Sequence, residues 1–199
     1  MKNNMARTTL VNIADIKPGH PFRGSINPNN EGDTYAIQIR DINQYGELDE
    51  QTLIKTALTG RKKPSYLKEN DILFTIKGAK HFATLIQNMP DNAVCSPHFF
   101  VIRINANQSN KVIPAFVSWQ LNRVISQQYF KKSAEGSHYV SIRRKVLEDI
   151  SLVIPPIEKQ QQIVAFHNAA IKEQKILHQL INNRQQQVDA LAIDLHQSA

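Results

Sequence analysis

The sequence predicts an α+β protein: a mixed α/β domain over residues 1–155, followed by a long, coiled-coil-forming α-helix over residues 156–199. Three observations lead there. Up to Pro155 the chain alternates short β-branched and aromatic runs with turn residues. At Pro155-Pro156 two consecutive prolines end any strand ladder, and the second is suited to open a helix at its first position. From there to Ala199 neither proline nor glycine occurs, and apolar residues recur at alternating steps of four and three.

Within the first part, TYAIQIRDI (Thr34–Ile42) sets Tyr35, Ile37 and Ile39 against polar neighbours, the pattern of a half-buried strand. DILFTIKGA (Asp71–Ala79) is a β-branched and aromatic run that ends in glycine. VCSPHFFVIRI (Val94–Ile104) is another. Pro97 cannot donate to a ladder, so this strand lies at an edge or begins after the proline. Between Ile113 and Tyr129, Phe116, Leu121, Val124 and Ile125 recur at near-helical spacing, with Pro114 in the first turn. A polar loop, Lys131–Tyr139, then leads to a short helix from about Arg143 and to the strand ISLVI.

The tail carries its own pattern. Positions 163, 167, 170, 174, 177, 181, 184, 188, 191 and 195 form one stripe, and seven of the ten are apolar. The packing residues are Ile163, Ala170, Leu177, Ile181, Val188, Leu191 and Leu195; His167, Gln174 and Arg184 interrupt them. Phe166, Ile171, Ile176, Leu180 and Ile193 widen the stripe. A fully helical tail is on the order of 60 Å long. So wide an apolar face needs cover from its own domain, a second copy or another protein.

The 41% hydrophobic content and mean hydropathy of -0.38 describe a chain able to bury one core. No apolar run approaches a membrane span, and the N-terminus has no export-signal pattern, so a cytoplasmic location is expected, with no membrane contact. The net charge of +7 is unevenly placed. Residues 1–155 hold 20 Lys+Arg against 13 Asp+Glu, and residues 156–199 hold 4 of each. Lys55–Phe82 carries seven cations and two anions, and Arg123–Lys145 six cations and one anion. Two basic segments on one domain suit phosphate contacts, or equally a basic surface without a ligand.

Catalytic constellations are missing from the sequence. There is no GxxxxGK[ST] loop, GxSxG elbow or HExxH pair. Cys95 is the sole cysteine, which excludes an internal disulfide and multi-cysteine metal sites, and it reads as a small buried hydrophobe. His81, His98 and His138 read as solvated or hydrogen-bonded residues. Pro90-Asp91 lacks the acidic and lysine partners of a nuclease, and Glu158-Lys159 lies on the helix. No metal, cofactor or enzymatic activity of the chain itself is expected.

The segment ISLVIPPIEKQQQIVAFHNAAIKEQKILHQLI resembles the junction in specificity subunits of type I restriction–modification systems. In that family a strand ending in Ile-Pro, a Pro-x-x-x-Gln element and a long heptad helix follow a target-recognition domain. Here Ile154, Pro155, Pro156, Gln160 and Ile163 carry the match. Upstream, NIADIKPGHPF, YAIQIRDI, LKENDILFTIKG and SAEGSHYVSIRRKVLEDISLVIPP resemble the family's other elements in order. Family members usually carry two recognition domains and two spacer helices, and this sequence holds one of each, like a half-sized subunit.

The resemblance implies a non-catalytic DNA-reading subunit. Its partners are double-stranded DNA, a methyltransferase subunit, and a motor-nuclease subunit reached through the methyltransferase. The helix pairs with a second copy, giving a homodimer, or with another specificity subunit, and the target is a bipartite site. The candidate DNA contacts are Arg40, Lys62, Lys63, Lys77, Lys80, His81, Lys131, Lys132, Ser133, Ser137 and His138. A stand-alone DNA-binding regulator and a coiled-coil scaffold without DNA affinity are the other readings of the same features.

Overall fold

A computed structural model describes residues 6–58, 63–78, 81–134 and 141–197. It comprises two compact units, Met1–Gln161 and Gln162–Ala199. The described residues of the first form nine strands in three sheets. Strands β2 (Ala14–Pro18), β8 (Phe99–Ile104), β5 (Ile72–Thr75) and β6 (Ala83–Leu85) lie in that order, all antiparallel. A second sheet has β3 (Thr34–Ile37) between antiparallel β4 (Ile54–Thr56) and parallel β7 (Ala93–Cys95). The third pairs β1 (Ala6–Thr9) with β9 (Ser151–Ile154), joining the two ends of the domain.

The four-stranded sheet is buried on both faces, and strand alternation sorts its residues into two cores. Ile72, Phe74, Phe100 and Ile102 face one core with Leu10, Ile16, Val117, Leu121, Phe130, Leu147 and Leu152. Leu73 and Phe99 face the other with Ile37, Leu67, Ile86 and Cys95. Burial pushes the Cys95 thiol up to about 12, so it packs as the small hydrophobe its setting suggested.

Strand β3 stops at Ile37, short of Ile42, because Gln38 N–H donates to Asp41 Oδ2 at 2.7 Å and opens a 3-10 turn over Ile39–Asp41. It is also more buried than half, since β4 and β7 flank it and Thr34, Ala36 and Ile37 all lie inside. Pro97 acts as expected: β7 ends before it and β8 begins after it.

The helical stretch from Ile113 splits into α1 (Pro114–Leu121) and α2 (Val124–Ser133). Asn122 ends α1 by turning its amide to β6. It accepts from Ala83 N–H at 2.8 Å and donates to Ala83 C=O at 2.7 Å. Gln120 treats β9 in the same way, accepting from Val153 N–H at 2.8 Å and donating to Val153 C=O at 2.9 Å. Two side-chain amides thus occupy the places of missing ladder neighbours on two strand edges. The break corrects the stripe read across this stretch. Val124 and Ile125 are 66% and 78% exposed, and Ser126 and Phe130 supply the buried side of α2 instead.

Helix α3 (Arg144–Glu148) leads into β9, and α4 runs Ile157–Gln197. The first turn of α4 belongs to the first unit, where Gln160 is completely buried. Its Oε1 accepts from Ile113 N–H at 2.9 Å, and its Nε2 donates to the carbonyls of Lys111 (2.7 Å) and Pro155 (2.8 Å). In the second unit Leu177, Ile181, Val188, Leu191 and Leu195 are exposed, as are Phe166, Ile176, Leu180 and Ile193. No described helix is long and apolar enough to cross a membrane.

Candidate nucleic-acid interface

Phe74 organises the end of β5. Its ring packs on Phe130 of α2, with centroids 4.7 Å apart, and stacks at 6.4 Å on His81. Three residues further on, Lys77 forms an isolated bridge with Ser141, and Ile142 N–H donates to Ile76 C=O at 3.1 Å. The next residue, Gly78, has φ +123°, a conformation closed to side-chain-bearing residues. The strand end of one basic segment is therefore tied to both flanks of the polar loop in the other. Phe130 lies before that loop and Ser141 after it.

This arrangement places Lys77, Lys131 and Lys132 on elements that meet at one rim of the domain. All three are exposed, and among the described residues none forms an ion pair. Lys131 and Lys132 occupy the last turn of α2, where cations suit the helix dipole. Ser133 follows them, half-buried. The other cations of this basic segment differ. Arg144 and Lys145 pair with Glu148 (2.7 Å) and Asp149 (2.8 Å), and Arg123 lies over the Trp119 ring at 5.7 Å.

The remaining candidates are dispersed. His81 is buried at 7% exposure, with Nδ1 3.1 Å from the Thr75 carbonyl, where it donates when that nitrogen carries the proton. It stands behind the rim as a packing residue. Arg40 is exposed beside Asp41, with Nε 3.8 Å from Oδ1. Lys63 is exposed and lines a cleft with Asp15, Lys17, His20, Cys95 and Arg103. Lys62, Lys80, Ser137 and His138 lie outside the described residues.

Several structurally decisive residues carry weaker sequence signals. Asp71, 1% exposed, accepts both Nε and Nη2 of Arg103 at 2.6 Å, and this contact holds the guanidinium pKa above its ordinary value. The cue was an acidic residue at the mouth of an otherwise apolar strand. Gly19 also has a specific role. A Cβ there would run into the Ser96 carbonyl, because Gly19 N–H reaches Phe99 C=O at 2.9 Å and His20 N–H reaches Cys95 C=O at 2.8 Å. Among the described residues no group of three or more His, Cys, Asp or Glu is placed to hold a metal ion.

The sequence matches the model of the type I restriction modification DNA specificity domain over residues 3–186. In fold the chain is similar to a type-I restriction-modification S subunit from M. genitalium, with 15% identity, 83% of this chain and 38% of that chain covered, and a TM-score of 0.55. It is similar also to an HsdS subunit from Thermoanaerobacter tengcongensis, with 15% identity, 87% and 38% coverage, and a TM-score of 0.59. A third similar chain comes from a structural study of type I R-M complex assembly and conformational transition, with 13% identity, 89% and 40% coverage, and a TM-score of 0.65. The chain thus spans about two fifths of the length of these solved chains. No curated protein sequence matches it. With the specificity model accounting for nearly every element described above, the chain belongs to the type I restriction modification DNA specificity domain family.

Proposed function

We propose that this chain reads DNA sequence for a type I restriction–modification assembly and catalyses nothing itself. The observation that carries this reading is the rim of Lys77, Lys131 and Lys132. These cations lack acidic partners among the described residues and sit on a domain with seven excess positive charges. Surface cations that neutralise phosphates release DNA counterions and so supply affinity and orientation, while base edges supply selection. Ser133 contacts DNA beside these lysines, Arg40 and Lys63 touch flanking phosphates, and Lys62, Lys80, Ser137 and His138 are further candidate contacts outside the described residues. A methyltransferase subunit brings the cofactor and chemistry, and a motor-nuclease subunit joins through it. The α4 stripe pairs with a second copy, so that two domains read a bipartite site. The assembly works in the cytoplasm.

The test is duplex affinity as a function of salt. The double variant Lys77→Ala, Lys80→Ala is expected to bind more weakly, with the slope of log affinity against log salt reduced by about 2. An unchanged slope removes these residues from the interface. No affinity at low salt in the unaltered chain favours a scaffold. DNA binding without capture of the methyltransferase favours a stand-alone regulator.

A further inference from the structure

Helix α2 presents an outward face that the fold itself does not use. At about 100° per residue, Lys131, Val124, Gln128, Lys132 and Ile125 fall within an arc of about 120°. All five are exposed, while Ser126 and Phe130 are buried on the other side. Val124 and Ile125 are poor choices for an exposed first turn. Branching at Cβ lowers helix propensity, and at 66% and 78% exposure they gain little from packing. Folding gives no reason for them, so their purpose lies in what meets this face.

We infer that the outward face of α2, Val124, Ile125 and Gln128 framed by Arg123 and the Lys131–Lys132 pair, reads base edges in the major groove of duplex DNA. The inference rests on the DNA-reading function proposed above and assigns it an element. The helix of ten residues is about 15 Å long, of a size for a groove about 12 Å wide. Branched aliphatic side chains suit the 5-methyl group of thymine, and a glutamine amide suits the N6/N7 edge of adenine. The helix carries no acidic residue and is basic at its end, which complements phosphate on both sides of a groove. Two exposed aliphatic residues are also far too few for the core of a stable protein interface, which buries about 800 Å² per partner.

The reading face is fixed in advance. Ser126 Oγ donates to Gln120 C=O at 2.7 Å, and Gln127 Nε2 donates to Leu121 C=O at 2.8 Å, tying the first turn of α2 to the end of α1. Phe130 against Phe74 ties its last turn to β5, next to the cationic rim. A site held by its own packing and hydrogen bonds discriminates better than one ordered on binding.

The experiment selects preferred duplexes from a random-sequence pool with the full chain, then measures affinity for the enriched duplex and a scrambled one. Gln128→Ala and the double variant Val124→Ser, Ile125→Ser are each expected to weaken binding to the enriched duplex about 5- to 100-fold. Binding to the scrambled duplex and its salt dependence should stay as in the unaltered chain. Replacing thymines of the enriched duplex by deoxyuracil should weaken the unaltered chain and leave the double serine variant indifferent. Since the substituted side chains are exposed, an unchanged melting temperature checks that these variants fold. Full discrimination in both variants, equal loss on both duplexes, or loss of methyltransferase capture alone overturns the assignment. If the unaltered chain binds duplexes without preference, the DNA-reading function falls with it, and the failure shows in the control and not in the variants.

Discussion

Asn70 and Asp71 occupy the turn into β5. Asn70 sits at φ +69°, and Asp71 Oδ2 accepts from Lys68 N–H at 2.8 Å while Asp71 N–H returns a bond to Lys68 C=O at 3.0 Å. Asparagine tolerates the left-handed region better than most residues, and the aspartate closes the turn on itself. The same carboxylate then takes the fork of Arg103 from β8, so one buried acid joins a turn to the neighbouring strand. Replacing Arg103 with methionine keeps an unbranched apolar stem, removes the guanidinium and leaves the carboxylate at 1% exposure without its cation. A loss of about 2 to 3 kcal/mol is expected. This is below the range for fully buried pairs, because Arg103 keeps a third of its surface in water. Urea unfolding measures it, and a loss under about 0.5 kcal/mol would mean that Asp71 finds another partner. The pair spans 32 positions, which is why spacing in the sequence does not display it.

At the scale of elements, what could be read depended on whether a signal was local. Pro114, Pro97 and Pro155-Pro156 place a helix start, a strand break and the domain's last turn where proline chemistry puts them. The strand β1 had no such signal. ARTT becomes a strand only by pairing with SLVI from the far end of the domain. The split between α1 and α2 was equally hidden, since it depends on Asn122 binding a backbone 39 positions away. The eventual outward face of α2 therefore looked like core. Gln160 falls between these cases: its place after Pro156 was visible, and its role was not. It satisfies one N–H and two carbonyls at complete burial. Gln160→Leu removes all three bonds at similar volume and is expected to cost about 2 to 4 kcal/mol. Thermal melting of the full chain checks this. Gln160→Glu, which keeps the acceptor and loses the donor, should cost at least as much, because it buries a charge beside two carbonyls.

For the molecule as a whole, the charge map and the apolar stripe divide the work. The excess positive charge lies within residues 1–155, where the rim of lysines forms, and residues 156–199 are balanced. A neutral helix does not repel its own copy, and the periodicity that marked it in the sequence survives as a row of exposed Leu177, Ile181, Val188, Leu191 and Leu195. Leu177 and Ile181, one turn apart, sit mid-stripe, where pairing with a second helix buries them most completely. The double change Leu177→Lys, Ile181→Lys replaces their burial with charges facing charges. Light scattering should find the unaltered chain near twice 22.6 kDa and the variant near 22.6 kDa. Affinity of one domain for one half-site should persist, since the substitutions lie outside the unit that carries the lysine rim. Affinity for a duplex bearing both half-sites should fall by about 100-fold or more, because the second contact is then no longer intramolecular. A variant that stays dimeric moves the pairing surface off this stripe. A monomeric variant with undiminished two-site affinity separates DNA reading from pairing and leaves the helix face for another protein, such as the methyltransferase subunit.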